Sequence, residues 1–182
     1  TKLASSSSIV GGTSSETGYT FASYFLRGNY KFKDKYLLGA SLRVDGSSRF
    51  GRDNRYGFFP AVSAGWIISD EDFLKNSGTI SFLKLRTSYG KTGNAEIGDF
   101  ASLTLVTATP YGDQSGLWIN QLGNNELTWE KTDQFDVGLD FGIINNRISG
   151  EIDYFHKNTQ DLLLSMPLPA VNGAINRITR ST

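Results

Sequence analysis

From Tyr36 to Asp45 the chain alternates between two kinds of residue. Tyr36, Leu38, Ala40, Leu42 and Val44 fall on one side; Gly39, Ser41, Arg43 and Asp45 fall on the other, with Leu37 the one apolar intruder. Period-two alternation over about ten residues predicts a strand with one apolar and one polar face. The pattern recurs. Ala22, Tyr24, Leu26 and Tyr30 oppose Ser23, Arg27 and Asn29, and Phe58, Pro60, Val62, Ala64, Trp66 and Ile68 oppose Ala61, Ser63 and Gly65. Leu83, Leu85 and Tyr89 alternate with Lys84, Arg86 and Ser88; Phe135, Val137, Leu139 and Phe141 with Gln134, Asp136, Gly138 and Asp140; Ile148, Ile152 and Tyr154 with Ser149, Glu151 and Asp153. Six strands are predicted, near 19–32, 36–45, 56–68, 82–90, 128–142 and 147–157.

The connections come in two lengths. "KDK" (33–35) and "IINNR" (143–147) are short, and 69–82 is intermediate, with Ser69 and Asp72 spaced as a capping box that predicts one helical turn. The stretches 46–55 and 91–127 are long and polar. Short turns at one end and long loops at the other predict an up-and-down antiparallel sheet with unlike ends.

Composition narrows the chemistry. Eighteen basic and eighteen acidic residues give a formal net charge of zero, which argues against a nucleic-acid partner. Cysteine is absent, so disulfides and thiolate sites are excluded, and the single histidine, His156, speaks against a zinc site or a Ser-His-Asp triad. Aromatics make up 13% of the residues and there are 20 Gly against 4 Pro, a balance that favours strands and tight turns. No apolar run reaches the roughly 18 to 20 residues of a membrane-spanning helix, and the polar opening "TKLASSSSIVGGTSSETG" does not read as a signal peptide.

Two architectures fit this pattern. A soluble, carbohydrate-binding sandwich would pack the apolar faces into a dry core. A transmembrane barrel would turn them to lipid and keep charge in its lumen. Mid-strand Arg43, Asp45, Lys84, Arg86, Asp136, Asp140, Glu151 and Asp153 suit a polar interior, and Tyr30, Tyr36, Phe58, Trp66, Tyr89, Phe141 and Tyr154 near strand ends suit aromatic girdles. A closed sheet also pairs every backbone group inside a membrane.

Three blocks add a resemblance. "KYLLGASLRVDGSSRFGRDNRYGFFPAVSAGWIISDEDFL" (35–74), "LKLRTSYGKTGN" (83–94) and "LTWEKTDQFDVGLDFGIINNRISGEIDYFHKNTQDLLL" (127–164) resemble, in order, the SusC/RagA family of TonB-linked outer-membrane transporters. The resemblance implies an all-β, antiparallel up-and-down transmembrane β-barrel of roughly 22 strands with a plugged lumen, of which this chain would be an internal wall of about six strands without the plug. It also implies residence in the bacterial outer membrane, import of oligosaccharides or peptides driven through TonB, and a SusD-like surface lipoprotein as lid, in a dimer of such pairs. A passive porin of the same build is the neighbouring alternative.

Residue roles follow from that frame. Arg43, Arg86, Asp136, Asp140 and Asp153 are expected to line the lumen. In the long loops, Tyr111 and Trp118 would stack on sugar rings, and Arg49 and Arg52 would meet substrate or lid; Arg49, Arg52 and Arg55 also suit lipopolysaccharide phosphates. The plainer alternatives are loop packing for the aromatics, Trp129 included, and solvated charge for the arginines. "GKT" (90–92) lacks the earlier glycine of a phosphate loop, since Leu85 stands there. "SDEDF" (69–73) lacks the alternate carboxylates of a calcium loop. The pairs Glu151/Asp153 and Asp136/Asp140 sit on one strand face rather than across a cleft, so glycosidase chemistry is not expected. No catalytic, cofactor or metal residue is assigned, no enzymatic activity is expected, and His156 reads as interfacial.

Overall fold

The computed structural model describes residues 16–111, 114–169 and 176–181. Ten strands are present: β1 Phe21–Phe32, β2 Tyr36–Ser47, β3 Tyr56–Ile67, β4 Ile80–Asn94, β5 Leu105–Tyr111, β6 Gln114–Gln121, β7 Glu130–Ile143, β8 Ile148–Gln160, β9 Leu162–Pro167 and β10 Asn176–Ser181. Six of them form one antiparallel sheet in the order β1-β2-β3-β4-β7-β8. The remaining four make two hairpins, β5–β6 and β9–β10.

The sheet agrees with the period-two reading and departs from it at the edges. β4 runs on to Asn94, four residues past the expected end, because its pairing with β7 continues to Glu130. The stretch 91–127, expected to be a long polar loop, contains the β5–β6 hairpin; β6 runs Leu117, Trp118 and Ile119 together and so shows no alternation. The turn after β3 is one 3₁₀ turn, Ile68–Asp70, and it forms without the Ser69 capping box: Ser69 lies inside the turn and no side chain caps its start. Register is tight in the short connections. Lys33 and Asp34 take positive φ in the β1–β2 turn, as do Ile144, Asn145 and Asn146 in the β7–β8 turn, which lets each chain reverse within a few residues.

Pairing places Phe32, Tyr36, Trp66, Leu85, Leu139 and Ile152 in one row on the apolar face. Among the described residues no second layer packs on that face; Tyr24 and Leu26 are both 70% exposed. The apolar band does not follow the rows. On β1–β3 it begins at Phe32, Tyr36 and Trp66, whereas on β7 and β8 it extends four residues further, to Ile143 and Ile148. At about 3.4 Å per residue and about 4.8 Å per strand, that step over four strand spacings is a slope of roughly 35°. The far edge is displaced in the same sense. Val44, Phe58 and Tyr24 are still apolar on β1–β3, but on β4 and β7 the band stops at Tyr89 and Phe135, and the next outward positions are Lys91 and Asp133. A level greasy band on strands tilted by 35–45° is what a membrane imposes on a barrel wall; a dry core between two sheets has no reason to produce it.

The buried core is small and lies on the opposite face. Phe50, Phe59, Ala101, Leu127 and Trp129 form it, with Ala95, Ile97, Leu163 and Ile178 against it. It sits at the long-loop end, where 46–55, 95–104 and 122–129 fold inward over the sheet.

Candidate functional site

The polar face carries the chemistry. Odd positions of β1, β2 and β3, even positions of β4 and β7, and odd positions of β8 share it by register, so Arg43, Arg86, Asp136, Asp140 and Asp153 lie on one surface. Arg86 is its hub. Its Nε donates to Asp140 Oδ1 at 3.0 Å, its Nη2 donates to Asp153 Oδ2 at 2.8 Å, and Glu151 stands 3.5 Å away. Lys84 adds a looser contact to Asp140 at 3.7 Å. The hub fits because Gly138 leaves the space between β4 and β8 open: a Cβ there would lie 2.6 Å from Arg86 Cζ. A fork with several planar donors matches several carboxylates at once, where a lysine would be a single point charge. These carboxylates are tied to a cation along one wall and do not face one another across a cleft, as glycosidic acid–base pairs must.

One row further from the short turns, Asp136 accepts from Ser88 Oγ at 3.2 Å and from Gln134 Nε2 at 2.9 Å. The middle of the face is low and hydroxyl-bearing, built from Gly39, Ser41, Ala61, Ser63, Ser88 and Gly90, with Arg27 and Asn29 on its flank. Two aromatics that alternation hid stand on this same face. Phe25 pairs with Arg43 and Phe155 with Asp136, and both are exposed. Neither shows in the alternation because an apolar outward-facing residue stands beside each: Tyr24 and Leu26 flank Phe25, and Tyr154 precedes Phe155.

Arg43 belongs to a different arrangement. Its Nε lies 2.7 Å from Asp45 Oδ2, and its guanidinium covers the Phe59 ring at 5.7 Å. Asp45 is 1% exposed, and neither carboxylate oxygen has a hydrogen-bond donor among the described residues, so Arg43 meets it as an ion pair only. This buried acid is held by one half-exposed arginine.

The loop candidates divide. Arg49 is committed inside the protein: Nε donates to Asp99 at 2.9 Å, Nη1 donates to the Ala95 carbonyl at 3.3 Å, and the guanidinium covers Tyr19 at 3.9 Å. It fastens one long loop to the other. Arg52 is exposed, and so is Trp118 on β6. Tyr111 ends β5, and its side chain lies outside the described residues. Trp129 packs: it is buried against Phe50 at 5.2 Å, Phe59 at 5.4 Å and Phe21 at 5.9 Å, and its Nε1 donates to the Arg55 carbonyl at 2.9 Å. Sequence showed Trp129 beside a long loop but gave no sign that Phe50 and Phe59 would meet it.

At the short-turn end, Glu71 gathers three donors. Lys35 Nζ reaches Oε2 at 3.0 Å, and Tyr36 OH and Trp66 Nε1 reach Oε1 at 2.8 and 3.1 Å. The Tyr36 bond foremost, then those from Trp66 and Lys35, holds the Glu71 carboxyl down at about 2. Tyr36 and Trp66 stack at 6.4 Å, so the turn after β3 is pinned to the aromatic rim. His156 faces outward opposite Phe135, at the upper edge of the apolar band.

Residues 2–181 match the family described as TonB dependent receptor-like, beta-barrel. The chain belongs to that family. It is 43% identical to TonB-dependent receptor P26 of Formosa agariphila over 88% of the chain and 17% of that protein. It is 44% identical to TonB-dependent receptor SusC of Bacteroides thetaiotaomicron over 86% of the chain and 16% of the receptor. Among solved structures, the RagAB peptide transporter matches at 40% identity and a TM-score of 0.81, over 88% of this chain and 18% of that one. The siderophore receptor PirA of Pseudomonas aeruginosa, at 16% identity and a TM-score of 0.57, shares the fold. The chain thus spans about a sixth of the length of these curated receptors. The TonB-dependent receptor barrels are outer-membrane proteins, and the SusC/RagA resemblance seen in the sequence agrees with these relatives.

Proposed function

We propose that this chain is a wall segment of a SusC/RagA-type importer that takes up oligosaccharides or peptides across the outer membrane, coupled to TonB and covered by a SusD-like surface lipoprotein. The observation that carries the reading is the 44% identity to a receptor named SusC across 86% of the chain; the peptide-transporting RagAB structure supports it. In this reading the apolar face meets lipid, and the polar face with Arg43, Arg86, Asp136, Asp140 and Asp153 lines the lumen of a barrel of roughly 22 strands. The loops 46–55 and 91–127 are extracellular, with Arg52, Tyr111 and Trp118 available to substrate or lid. Arg49 serves the loops instead.

The wall's part in transport follows from its geometry. The Arg86 hub fixes the lumenal charge in place, so the wall presents a rigid polar surface while gating belongs to a plug. The aromatic cluster around Trp129 holds the mouth, and Glu71 holds the periplasmic turn. The reading predicts a dimer of transporter–lipoprotein pairs.

Uptake by cells expressing the full-length receptor tests this. Transport abolished by deletion of TonB or by collapse of the proton gradient supports an importer. Uptake that continues without either makes the barrel a passive porin and overturns the coupling.

A further inference from the structure

Phe100 stands in a backbone conformation that strand pairing does not require. Its φ is 60°, in the left-handed region that glycine enters freely and a bulky side chain rarely does. The other non-glycine residues with positive φ among those described are Lys33, Asp34, Ile144, Asn145, Asn146 and Asp161, and all lie where one strand passes into the next. Phe100 is instead the third residue of a turn in loop 95–104, closed by Ala101 N donating to the Gly98 carbonyl at 3.3 Å. A positive φ at that place calls for glycine.

The turn is fastened firmly enough to hold this conformation. Gln121 Nε2 donates to the carbonyls of Phe100, Ala101 and Leu103 at 3.2, 3.2 and 3.0 Å. Leu103 N also donates to the Phe100 carbonyl at 2.9 Å, and Arg49 Nε holds Asp99 Oδ1 at 2.9 Å. Ala101 is wholly buried in the core, while Phe100 beside it is 42% exposed. Backbone strain that the surroundings over-determine gathers at ligand clamps, and what this turn presents to water at the mouth is a phenyl ring.

The polar group next to the ring is only part used. A carboxylate has about four acceptor positions, and the one side-chain partner of Asp99 among the described residues is Arg49. Arg49 is itself fixed by the Ala95 carbonyl and the Tyr19 ring, so the carboxylate is held in place with lone pairs to spare. An exposed ring face beside a fixed acceptor suits a sugar: the C–H face of a pyranose packs on the ring, and its hydroxyls donate to the carboxylate.

We propose that Phe100 and Asp99 form a subsite for one pyranose ring of a neutral oligosaccharide, with Phe100 as the stacking platform and Asp99 as the acceptor. Arg49 is a positioning residue. The site rests on the reading of 91–127 as an extracellular loop of an importer, and it names oligosaccharide rather than peptide as the cargo that this loop meets.

The full-length receptor in mild detergent, applied to arrays of neutral hexose and pentose oligosaccharides and to arrays of short peptides, provides the test. Wild type binds oligosaccharide. Phe100→Gly, which suits the backbone of the turn, weakens that binding about tenfold, a loss of about 1.4 kcal/mol. Phe100→Trp keeps a ring face and retains binding, which a merely structural role for the phenyl group would not predict. Asp99→Asn leaves an oxygen for Arg49 but removes the charge, and weakens binding several-fold even if F100G folds poorly. Oligosaccharide binding unchanged in F100G and D99N overturns the subsite. So does wild-type binding confined to peptides or absent from both arrays, and so does an F100G variant that sheds its surface lipoprotein while its glycan affinity stays intact. Each of these leaves the importer reading standing, whereas uptake independent of TonB removes that reading whatever the loop binds.

Discussion

Arg43→Met tests how the lumenal face is held together. Asp45 is fully buried, its carboxylate forms an ion pair 2.7 Å from Arg43 Nε, and it has no hydrogen-bond donor among the described residues. At an effective dielectric of about 20, unit charges at that separation attract by roughly 6 kcal/mol. Arg43 is half exposed, so solvent screens part of this, and the expected loss falls to about 3 kcal/mol, the low end for stranding a buried charge. Methionine keeps the stem against Phe59 and removes only the guanidinium. The assay is urea unfolding of the full-length receptor in detergent, followed by the heat-modifiable mobility of the folded barrel. Asp45→Asn in the same background removes the stranded charge and restores most of the loss, because the cost lies in the unpaired acid and not in the missing contact. R43M within about 0.5 kcal/mol of wild type, or an R43M/D45N double variant no better than R43M, refutes the argument.

Other outcomes follow from the same geometry. Trp129→Ala costs about 3–5 kcal/mol by the same assay, since it empties the centre of the cluster formed with Phe21, Phe50 and Phe59. Gly51→Ala costs about 1–3 kcal/mol, because its Cβ would lie 3.1 Å from the backbone carbon of Asn125 where the two long loops interlock. Glu71 has a folded-state value near 2, below its ordinary 4.5. The stability it contributes is therefore complete above about pH 4.5 and is lost as pH falls toward 2. Limited proteolysis of the turn 68–79 should quicken over that window in wild type, and E71Q should cleave readily at every pH. Gly138→Val pushes Arg86 away from Asp153 and is expected to change the pH and salt dependence of uptake while leaving the barrel folded.

Much of the sheet was legible because a lone wall exposes its logic. Each strand meets lipid on one side and a polar lumen on the other, so Tyr36 to Val44 or Phe135 to Phe141 read directly as alternation, and the short turns set the hairpins. What was not legible was tertiary. Phe50 lies in a loop and Phe59 on the polar face, so neither obeys the period that defined β3, yet both converge on Trp129 through contacts seventy or more residues apart in sequence. Arg49 read as a substrate or lid contact, or else as solvated loop charge, whereas Asp99, fifty residues on, stands beside it. Asp140 and Asp153 share one face by register, as the alternation predicts, but their dependence on Arg86 needed Gly138, whose missing side chain has no sequence signature of its own. The Ser69 spacing produced no cap; the contacts at this turn are instead those of Glu71 with Lys35, Tyr36 and Trp66, which lie far off in sequence or carry no capping pattern.

What touches the apolar face separates a membrane wall from a soluble sheet. This chain contains no cysteine; in a full-length receptor cleared of any others, single cysteines at Leu38, Leu85 and Leu139 carry spin labels after reconstitution in bilayers. All three positions should relax strongly with lipid-dissolved oxygen and be shielded from a water-soluble nickel complex, as a face in contact with hydrocarbon requires. Shielding from both reagents at all three would mean that protein covers this face, and would contradict the membrane wall.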